Sequence, residues 1–107
     1  MSCPDPTQAP NKAEMPGWVA MVVWDGRDYL LTEQQGTPGE RLGAVTCDIV
    51  AINKRTRAVP PRPWPDGSST AAAVGSPIHA HQGRDTACEL VLDTPEWGWR
   101  VFRAADC

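Results

Sequence analysis

The chain has 107 residues, the length of one ordinary domain. Leu, Ile, Val and Phe supply only 18 of them, but a net charge of −3 is too small for a disordered chain, and five Trp add apolar area. No apolar run approaches the ~20 residues of a membrane span, and the charge gives no basic footprint for nucleic acid, so we expect a small domain with a thin core.

The N-terminal part predicts a tether followed by a hairpin. Residues 1–16 contain four Pro and almost no large apolar side chain, which is typical of a flexible linker. The folded domain is expected over residues 17–107. It begins with a strand over residues 18–24, the turn pair Asp25-Gly26 and a returning strand over residues 29–32, which together predict a tight type I′ hairpin.

The middle of the chain predicts one more strand between irregular segments. Gly and Pro predict a loop over residues 34–40, and residues 42–52 are expected to form a third strand. Residues 53–69 predict a long irregular connection, because Pro occupies four of the six positions 60–65 and excludes helix and central strand there.

The C-terminal part predicts a series of short strands separated by turns, over residues 70–74, 78–82, 88–92 and 97–104. In the third of these, Cys88, Leu90 and Leu92 are expected to point inward. The whole pattern predicts an all-β fold, either a small SH3-like barrel or a compact β-sandwich of about six or seven short strands.

Four segments of the sequence carry a resemblance to a known group. They are Val22–Tyr29, Ala73–Gly83, Cys88–Leu92 and Trp97–Phe102. Their succession of apolar strands, Gly-containing turns and a closing aromatic hairpin resembles small exported β-domains of high-GC Gram-positive bacteria, over residues 17–104. The resemblance implies an SH3-like barrel and a cell-envelope location, often with a lipoprotein cysteine, and it implies no catalytic residue.

Four cysteines indicate the redox compartment. An even number in a short chain with a thin core predicts disulfides, and the spacing excludes a Cys-x-x-Cys motif. Of the three possible pairings we favour Cys47–Cys88 together with Cys3–Cys107. The alternative is four free thiols in a cytoplasmic protein.

The start of the sequence leaves two locations open. Met1 leads directly into Ser-Cys-Pro-Asp-Pro without a signal peptide, which suits a cytoplasmic protein. It equally suits an exported protein whose leader has been replaced, since Ser-Cys resembles the end of a bacterial lipobox. We favour an extracellular or cell-envelope location, with a possible lipid anchor at Cys3.

His79 and His81 are the candidate metal ligands. Their spacing on a strand places both imidazoles on one face, where two nitrogens can reach one ion. The nearest further ligands in the sequence are Asp85, Glu89 and Cys88. We favour a solvated polar face over a metal site, and we expect no cofactor.

Other catalytic patterns are weak. A Cys–His nucleophile at Cys47 or Cys88 is chemically conceivable, but it competes with the disulfides. The sequence contains no Gly-x-Ser-x-Gly elbow and no Gly-rich phosphate loop. We therefore predict a protein that is not an enzyme.

The segment 53–69 is a candidate binding surface. Its basic residues are Lys54, Arg55, Arg57 and Arg62. With Trp64 they could hold an anionic strand by charge and stacking, although the acidic net charge favours an ordinary solvated loop. We expect a stiff Pro-rich crossover over one end of the barrel, with Trp64 as its plug.

Trp97 and Trp99 complete the candidate residues. Placed on one side of the last strand, they could form a stacking platform for a sugar or a peptide, or they could belong to the core.

We therefore predict a non-enzymatic binding or interaction module that uses the segment 53–69 or the Trp residues of the last hairpin. Its partner is an unknown protein or small ligand and not a nucleic acid. Two other classes stay open: a metal-binding protein that uses the two His residues, and a structural or decoration subunit of a larger assembly.

Overall fold

The computed structural model describes Cys3 and residues 19–57, 59–60 and 62–107. These residues form eight strands and one short helix, so the predicted all-β class is confirmed, with eight strands rather than six or seven. In chain order the elements are β1 (Met21–Trp24), β2 (Arg27–Gln35), β3 (Pro38–Ala44), β4 (Cys47–Asp48), α1 (Ile49–Thr56), β5 (Ser68–Ser69), β6 (Pro77–His81), β7 (Glu89–Thr94) and β8 (Gly98–Ala104). The predicted tether lies, apart from Cys3, outside the described residues.

All eight strands belong to one sheet, in the order β3-β6-β7-β8-β2-β1-β5-β4. The strands β6, β7 and β8 form an antiparallel meander, and β3 and β2 pair with its two outer strands. Only Gly36 and Thr37 separate β2 from β3. One bent stretch of chain therefore lines both sides of the meander, and the sheet curls into a half-barrel.

Gly36 makes this bend possible. A Cβ at this position would lie 2.6 Å from a methyl carbon of Val91 and 3.1 Å from one of Val101, so no larger residue fits without displacing the sheet. The predicted loop over residues 34–40 is wrong, because β2 continues to Gln35 and β3 begins at Pro38. Gly and Pro here mark a bend and the start of an edge strand rather than a loop.

The β1–β2 hairpin confirms the prediction made from Asp25-Gly26. Both residues have positive φ, 51° and 71°, as a type I′ turn requires. Trp24 pairs with Arg27 across the turn. Residue 18, the predicted start of the first strand, lies outside the described residues.

The main core lies on one face of the sheet. Its buried residues are Val22, Tyr29, Val45, Ala72, Ile78, Leu90, Leu92, Phe102 and Ala104, with Trp24, Leu31, Leu42 and Ala71 packed against them. The inward orientation predicted for Leu90 and Leu92 is confirmed. The indole of Trp24 closes one side, since its Cη2 atom lies 2.5 Å from where a Cβ on Gly43 would stand.

The predicted third strand over residues 42–52 is confirmed at the end of β3 and in the two-residue β4, but it is wrong from Ile49 onward. A helix, α1, begins at Ile49, and the Asp48 carboxylate caps it by accepting a hydrogen bond from the Ala51 N–H at 3.0 Å. Ile49 and Ile52 are buried on one side of the helix, at a spacing that a strand would place on opposite faces. The predicted strand over residues 70–74 is also wrong. The strand near this point is the two-residue β5, Ser68–Ser69, which lies in the connection over residues 53–69 that was predicted to be irregular, as does the end of α1.

All four cysteines form disulfides, as predicted, but the favoured pairing is wrong. The bonds are Cys3–Cys47 and Cys88–Cys107. Cys47 lies on β4 at one edge of the sheet, whereas Cys88 directly precedes β7, whose neighbour β8 leads to Cys107. The sheet order therefore separates the two cysteines that we expected to pair.

The disulfides also bear on location. Two such bonds indicate a non-reducing environment. Because the sulfur of Cys3 is bonded to Cys47, it cannot carry the thioether of a lipid anchor. Within the described residues, no helix is both long and apolar enough to span a membrane.

Candidate binding groove

A large bulge interrupts the pairing of β2 with β8. Leu31 pairs with Phe102 and Gln35 pairs with Arg100, so residues 32–34 lie opposite a single residue. The Thr32 hydroxyl fixes the bulge: it donates to a β8 carbonyl oxygen at 2.8 Å and accepts the Gln34 N–H at 3.2 Å. Bulges of this kind redirect side chains and are common beside functional sites.

The β7–β8 turn stands next to this bulge and holds Trp97. Thr94 pairs with Gly98 across a three-residue connection, and Gly98 has the positive φ of 71° that such turns require. The Thr94 hydroxyl accepts the Trp97 N–H at 3.0 Å and donates to the Gly98 carbonyl at 3.0 Å. Trp97 is thereby fixed at its backbone while 43% of it stays exposed.

An open groove of about 690 Å³ lies between the bulge and the turn. Its lining residues are Leu31, Thr32, Glu33, Trp97 and Arg100. Two of them belong to the core side of the sheet, because Leu31 is paired with the core residue Phe102 and Arg100 stands two residues before it. The groove therefore opens on the core side of the sheet, and its volume lies within the range of roughly 300–1,000 Å³ that is usual for ligand sites.

Two opposite charges line the groove without neutralising each other. Arg100 donates from Nε to the Trp97 carbonyl oxygen at 3.3 Å and from Nη1 to the Glu33 carbonyl oxygen. Its other N–H groups make no hydrogen bond to the described residues. Within the same part of the chain, neither Arg100 nor the Glu33 carboxylate forms an ion pair.

The structure gives the two Trp residues predicted on the last strand different surroundings. Trp97 lines the groove from the turn, whereas Trp99 packs edge-on against His79, with ring centroids 5.4 Å apart. The positive φ of Gly98 stands between them and breaks the regular alternation on which the expected common side depended.

Leu31, Glu33 and Arg100 were missed as groove residues. Their meeting depends on a bulge and on a contact between positions 67 residues apart. No local signal in the sequence indicates either feature.

The Trp–Arg pair predicted in segment 53–69 is built into the fold. The Trp64 indole packs against a small second cluster of Cys47, Ile49 and Ile52, and its Nε1 donates to a proline carbonyl oxygen at 3.0 Å. Arg62 lies 4.4 Å over the Trp64 ring and forms two 2.7 Å hydrogen bonds to the Asp28 carboxylate. Trp64 therefore covers the helix, and its expected role as a plug of the main barrel is wrong.

The remaining residues of the predicted basic cluster lie at the end of α1. Lys54 and Arg55 stand in its last turn, where positive charge interacts favourably with the helix dipole. Arg57 ends the helix with a φ of 60°, and its N–H donates to the Asn53 carbonyl oxygen at 2.7 Å.

The two His residues face an acidic partner and a backbone oxygen. His79 donates from Nδ1 to the Gly39 carbonyl oxygen at 2.9 Å, and His81 donates from Nδ1 to the Glu89 carboxylate at 2.7 Å. Arg103 donates to the other carboxylate oxygen of Glu89 at 3.1 Å. The hydrogen bond from His81, followed by that from Arg103, outweighs burial and holds the pKa of Glu89 below its usual range.

The structure bears on the metal site and on the Cys–His nucleophile considered from the sequence. Among the described residues, no group of three or more His, Cys, Asp or Glu side chains comes together in a way that could hold a metal ion. Cys88, one of the expected further ligands, is in a disulfide, and so is Cys47, so the Cys–His nucleophile is wrong. The expected solvated face is also wrong at His81, which is buried.

Comparison of the chain with known protein families, with curated proteins and with solved structures finds no match. The resemblance to exported β-domains stays a prediction.

Proposed function

We propose that this protein is a non-enzymatic binding module of the cell envelope or the extracellular space, and that the groove beside Trp97 is its ligand site. Trp97 carries the proposal, since it is the one exposed aromatic side chain in the described part of the chain. Exposing an indole to water has a free-energy cost, and Trp and Arg are the residue types that contribute most to binding at interfaces.

The scaffold suits such a role. The groove is formed by a strand and a tight turn of one continuous sheet, which keeps its walls in place without a ligand. The disulfides support a site outside the cytoplasm, and the resemblance to exported domains agrees with that location.

The groove is a better ligand site than the segment 53–69. The polar and apolar groups of Arg62 and Trp64 already have partners within the chain, and a ligand would have to displace them. The sequence predicted two candidate surfaces, the segment 53–69 and the last hairpin. The proposal places the ligand at the last hairpin.

The test is a binding screen by NMR, in which the signals of individual residues report where each compound binds. Wild-type protein labelled with ¹⁵N is titrated with short peptides, neutral oligosaccharides, aliphatic acids and aromatic amines of known structure. We expect compounds that bind to shift the indole N–H of Trp97 and the backbone N–H of Leu31 and Arg100. Trp97→Ala should weaken their binding by about tenfold or more.

Val74→Ala is the matched control, because Val74 is an apolar side chain 63% exposed outside the groove. It should leave every dissociation constant unchanged. The proposal fails if no compound shifts the groove residues, or if Trp97→Ala stays folded and binds as well as wild type.

A further inference from the structure

We infer that the groove selects a zwitterionic ligand, an amino-acid-like compound or short peptide that carries both a free ammonium and a free carboxylate. This inference rests on the proposed function. It follows from the two unpaired charges of Arg100 and Glu33 on the walls of one groove, with an exposed indole between the turn and the bulge.

Arg100 supplies the site for the carboxylate. A guanidinium has five N–H donors, and two of them are used by the carbonyl oxygens of Trp97 and Glu33, which leaves three for a ligand. One of these carbonyl oxygens belongs to the β7–β8 turn and the other to β2, so the two bonds hold the planar group in place. A fixed guanidinium with free donors matches the two oxygens of a carboxylate.

Glu33 supplies the site for the ammonium. Glu33 is exposed and lines the same groove, and its carbonyl oxygen accepts a hydrogen bond from Arg100. The bulge at residues 32–34 creates this arrangement, because it turns the backbone oxygen of Glu33 rather than its carboxylate toward the guanidinium. Arg100 and Glu33 therefore line one groove with opposite formal charges and without an ion pair between them.

Two other described arginines bind carboxylates, which Arg100 does not. Arg62 forms an ion pair with Asp28 at 2.7 Å, and Arg103 forms one with Glu89 at 3.1 Å. Arg100 is close enough to Glu33 to bond its backbone but makes no such pair. A ligand with one group of each charge would complete both halves of the groove.

The apolar walls of the groove favour a particular side chain on the ligand. Trp97 and Leu31 offer apolar surface beside the charges, and the face of an indole also attracts an ammonium group. A polyanion is disfavoured because Glu33 would repel it, and the net charge of −3 gives it no general attraction. The most favourable occupant is a zwitterion with an apolar or aromatic side chain.

The test uses the dipeptide Ala-Phe in four forms: free, N-acetylated, C-amidated, and blocked at both ends. Dissociation constants are measured by ¹⁵N-NMR titration of the full chain. We expect the free form to bind about three- to tenfold more tightly than either singly blocked form, because each block removes one charge contact in an open groove. The doubly blocked form should bind most weakly.

Charge variants assign each contact to its residue. Glu33→Gln should remove the preference for the free ammonium and leave the affinity of the N-acetylated form unchanged. Arg100→Gln should remove the preference for the free carboxylate and leave that of the amidated form unchanged. Glu40→Gln and Arg41→Gln, exposed positions on β3, are the matched controls and should preserve both preferences.

The outcomes separate this inference from the proposed function. If all four forms bind alike, or if only uncharged compounds of the screen bind the groove, the groove is a ligand site but the inference is overturned. A preference that survives both charge variants also overturns it. If nothing shifts the groove residues in wild type, the proposed function falls as well.

Discussion

Two Trp–Arg pairs on this molecule have opposite environments. At the helix, Arg62 stacks on Trp64 and is bound by the Asp28 carboxylate, while the indole packs on a buried cluster and bonds a backbone oxygen. At the groove, Arg100 forms hydrogen bonds only to backbone oxygens among the described residues, and Trp97 stays exposed.

The difference shows that residue types alone do not identify a binding surface. Both pairs fit the same sequence-level description of a cation beside an aromatic ring. What separates them is whether each group already has its partner within the chain. A group whose interactions are complete stabilises the fold, whereas a group that is held in place but incomplete remains available to a ligand.

The first prediction concerns the Trp64 cluster at the helix and removes the disulfide that links this cluster to Cys3. Cys47 belongs to the cluster under Trp64, and its bond to Cys3 closes a separation of 44 residues. From the chain-entropy relation, Cys3→Ser with Cys47→Ala should lower the free energy of unfolding by about 4 kcal/mol, against about 3 kcal/mol for the Cys88–Cys107 bond. Urea unfolding followed by circular dichroism measures both.

Equal or inverted losses would show that the helix cluster does not depend on its link to Cys3. If the first variant is unfolded in buffer, partially reduced wild-type protein is measured instead. The species that lacks only the Cys3–Cys47 bond should then have a lower melting temperature than the species that lacks only the Cys88–Cys107 bond. The Cys88–Cys107 variant, which leaves the helix cluster linked, is the control in both measurements.

The second prediction compares the two indoles directly. Trp64→Ala should lower the free energy of unfolding by about 2–3 kcal/mol, less than for a fully buried Trp because the ring is only partly covered. Trp97→Ala should lower it by less than about 1 kcal/mol, since exposed substitutions cost little. Urea unfolding of both variants is the measurement, and similar losses would contradict the assignment of one Trp to the fold and the other to a ligand.

The sequence was most informative where structure is set by near neighbours. Asp25-Gly26 predicted a hairpin because both residues tolerate positive φ, and Leu90 and Leu92 were correctly placed in the core from alternation. The helix could have been found from Asp48 as a cap and from the three-residue spacing of Ile49 and Ile52. Period-two alternation through this short segment was the stronger pattern and gave the wrong element.

The groove could be predicted only in part. Trp97 was identified because an aromatic residue in a terminal hairpin is conspicuous in so thin a core. The roles of Glu33 and Arg100 depend on the bulge in β2 and on contacts across the sheet, and so does the pairing of the cysteines. Such contacts join distant parts of the chain, and neither periodicity nor turn chemistry encodes them.

A third arginine, Arg103, extends the comparison. Like Arg62 it bonds a carboxylate, but its partner Glu89 is more buried than Asp28, the partner of Arg62. Glu89 is buried and accepts hydrogen bonds from His81 and Arg103 on the two neighbouring strands. If complete interactions mark groups that stabilise the fold, removing this carboxylate should cost stability, whereas removing the carboxylate of Glu33 in the groove should not.

The third prediction follows from the lowered pKa of Glu89. In the unfolded chain this carboxyl has its ordinary pKa of 4.5, and folding lowers it, so the unfolded state binds more protons at acid pH. Its contribution to stability is therefore complete above the ordinary pKa and is lost as the pH falls through the lower, folded-state value. Glu89→Gln should cost about 1–2 kcal/mol at neutral pH and flatten the loss of stability as the pH falls below the ordinary pKa of 4.5.

Urea unfolding at several pH values measures this effect, with Glu33→Gln as the matched control for removing one negative charge. The control should keep the neutral-pH stability of wild type, because its carboxylate has no ion-pair partner among the described residues. Parallel pH curves for Glu89→Gln and wild type would show that the His81–Glu89–Arg103 contacts add nothing to the folded state. A loss of stability in Glu33→Gln would instead assign the groove charges to the fold and remove the distinction between its two Trp–Arg pairs.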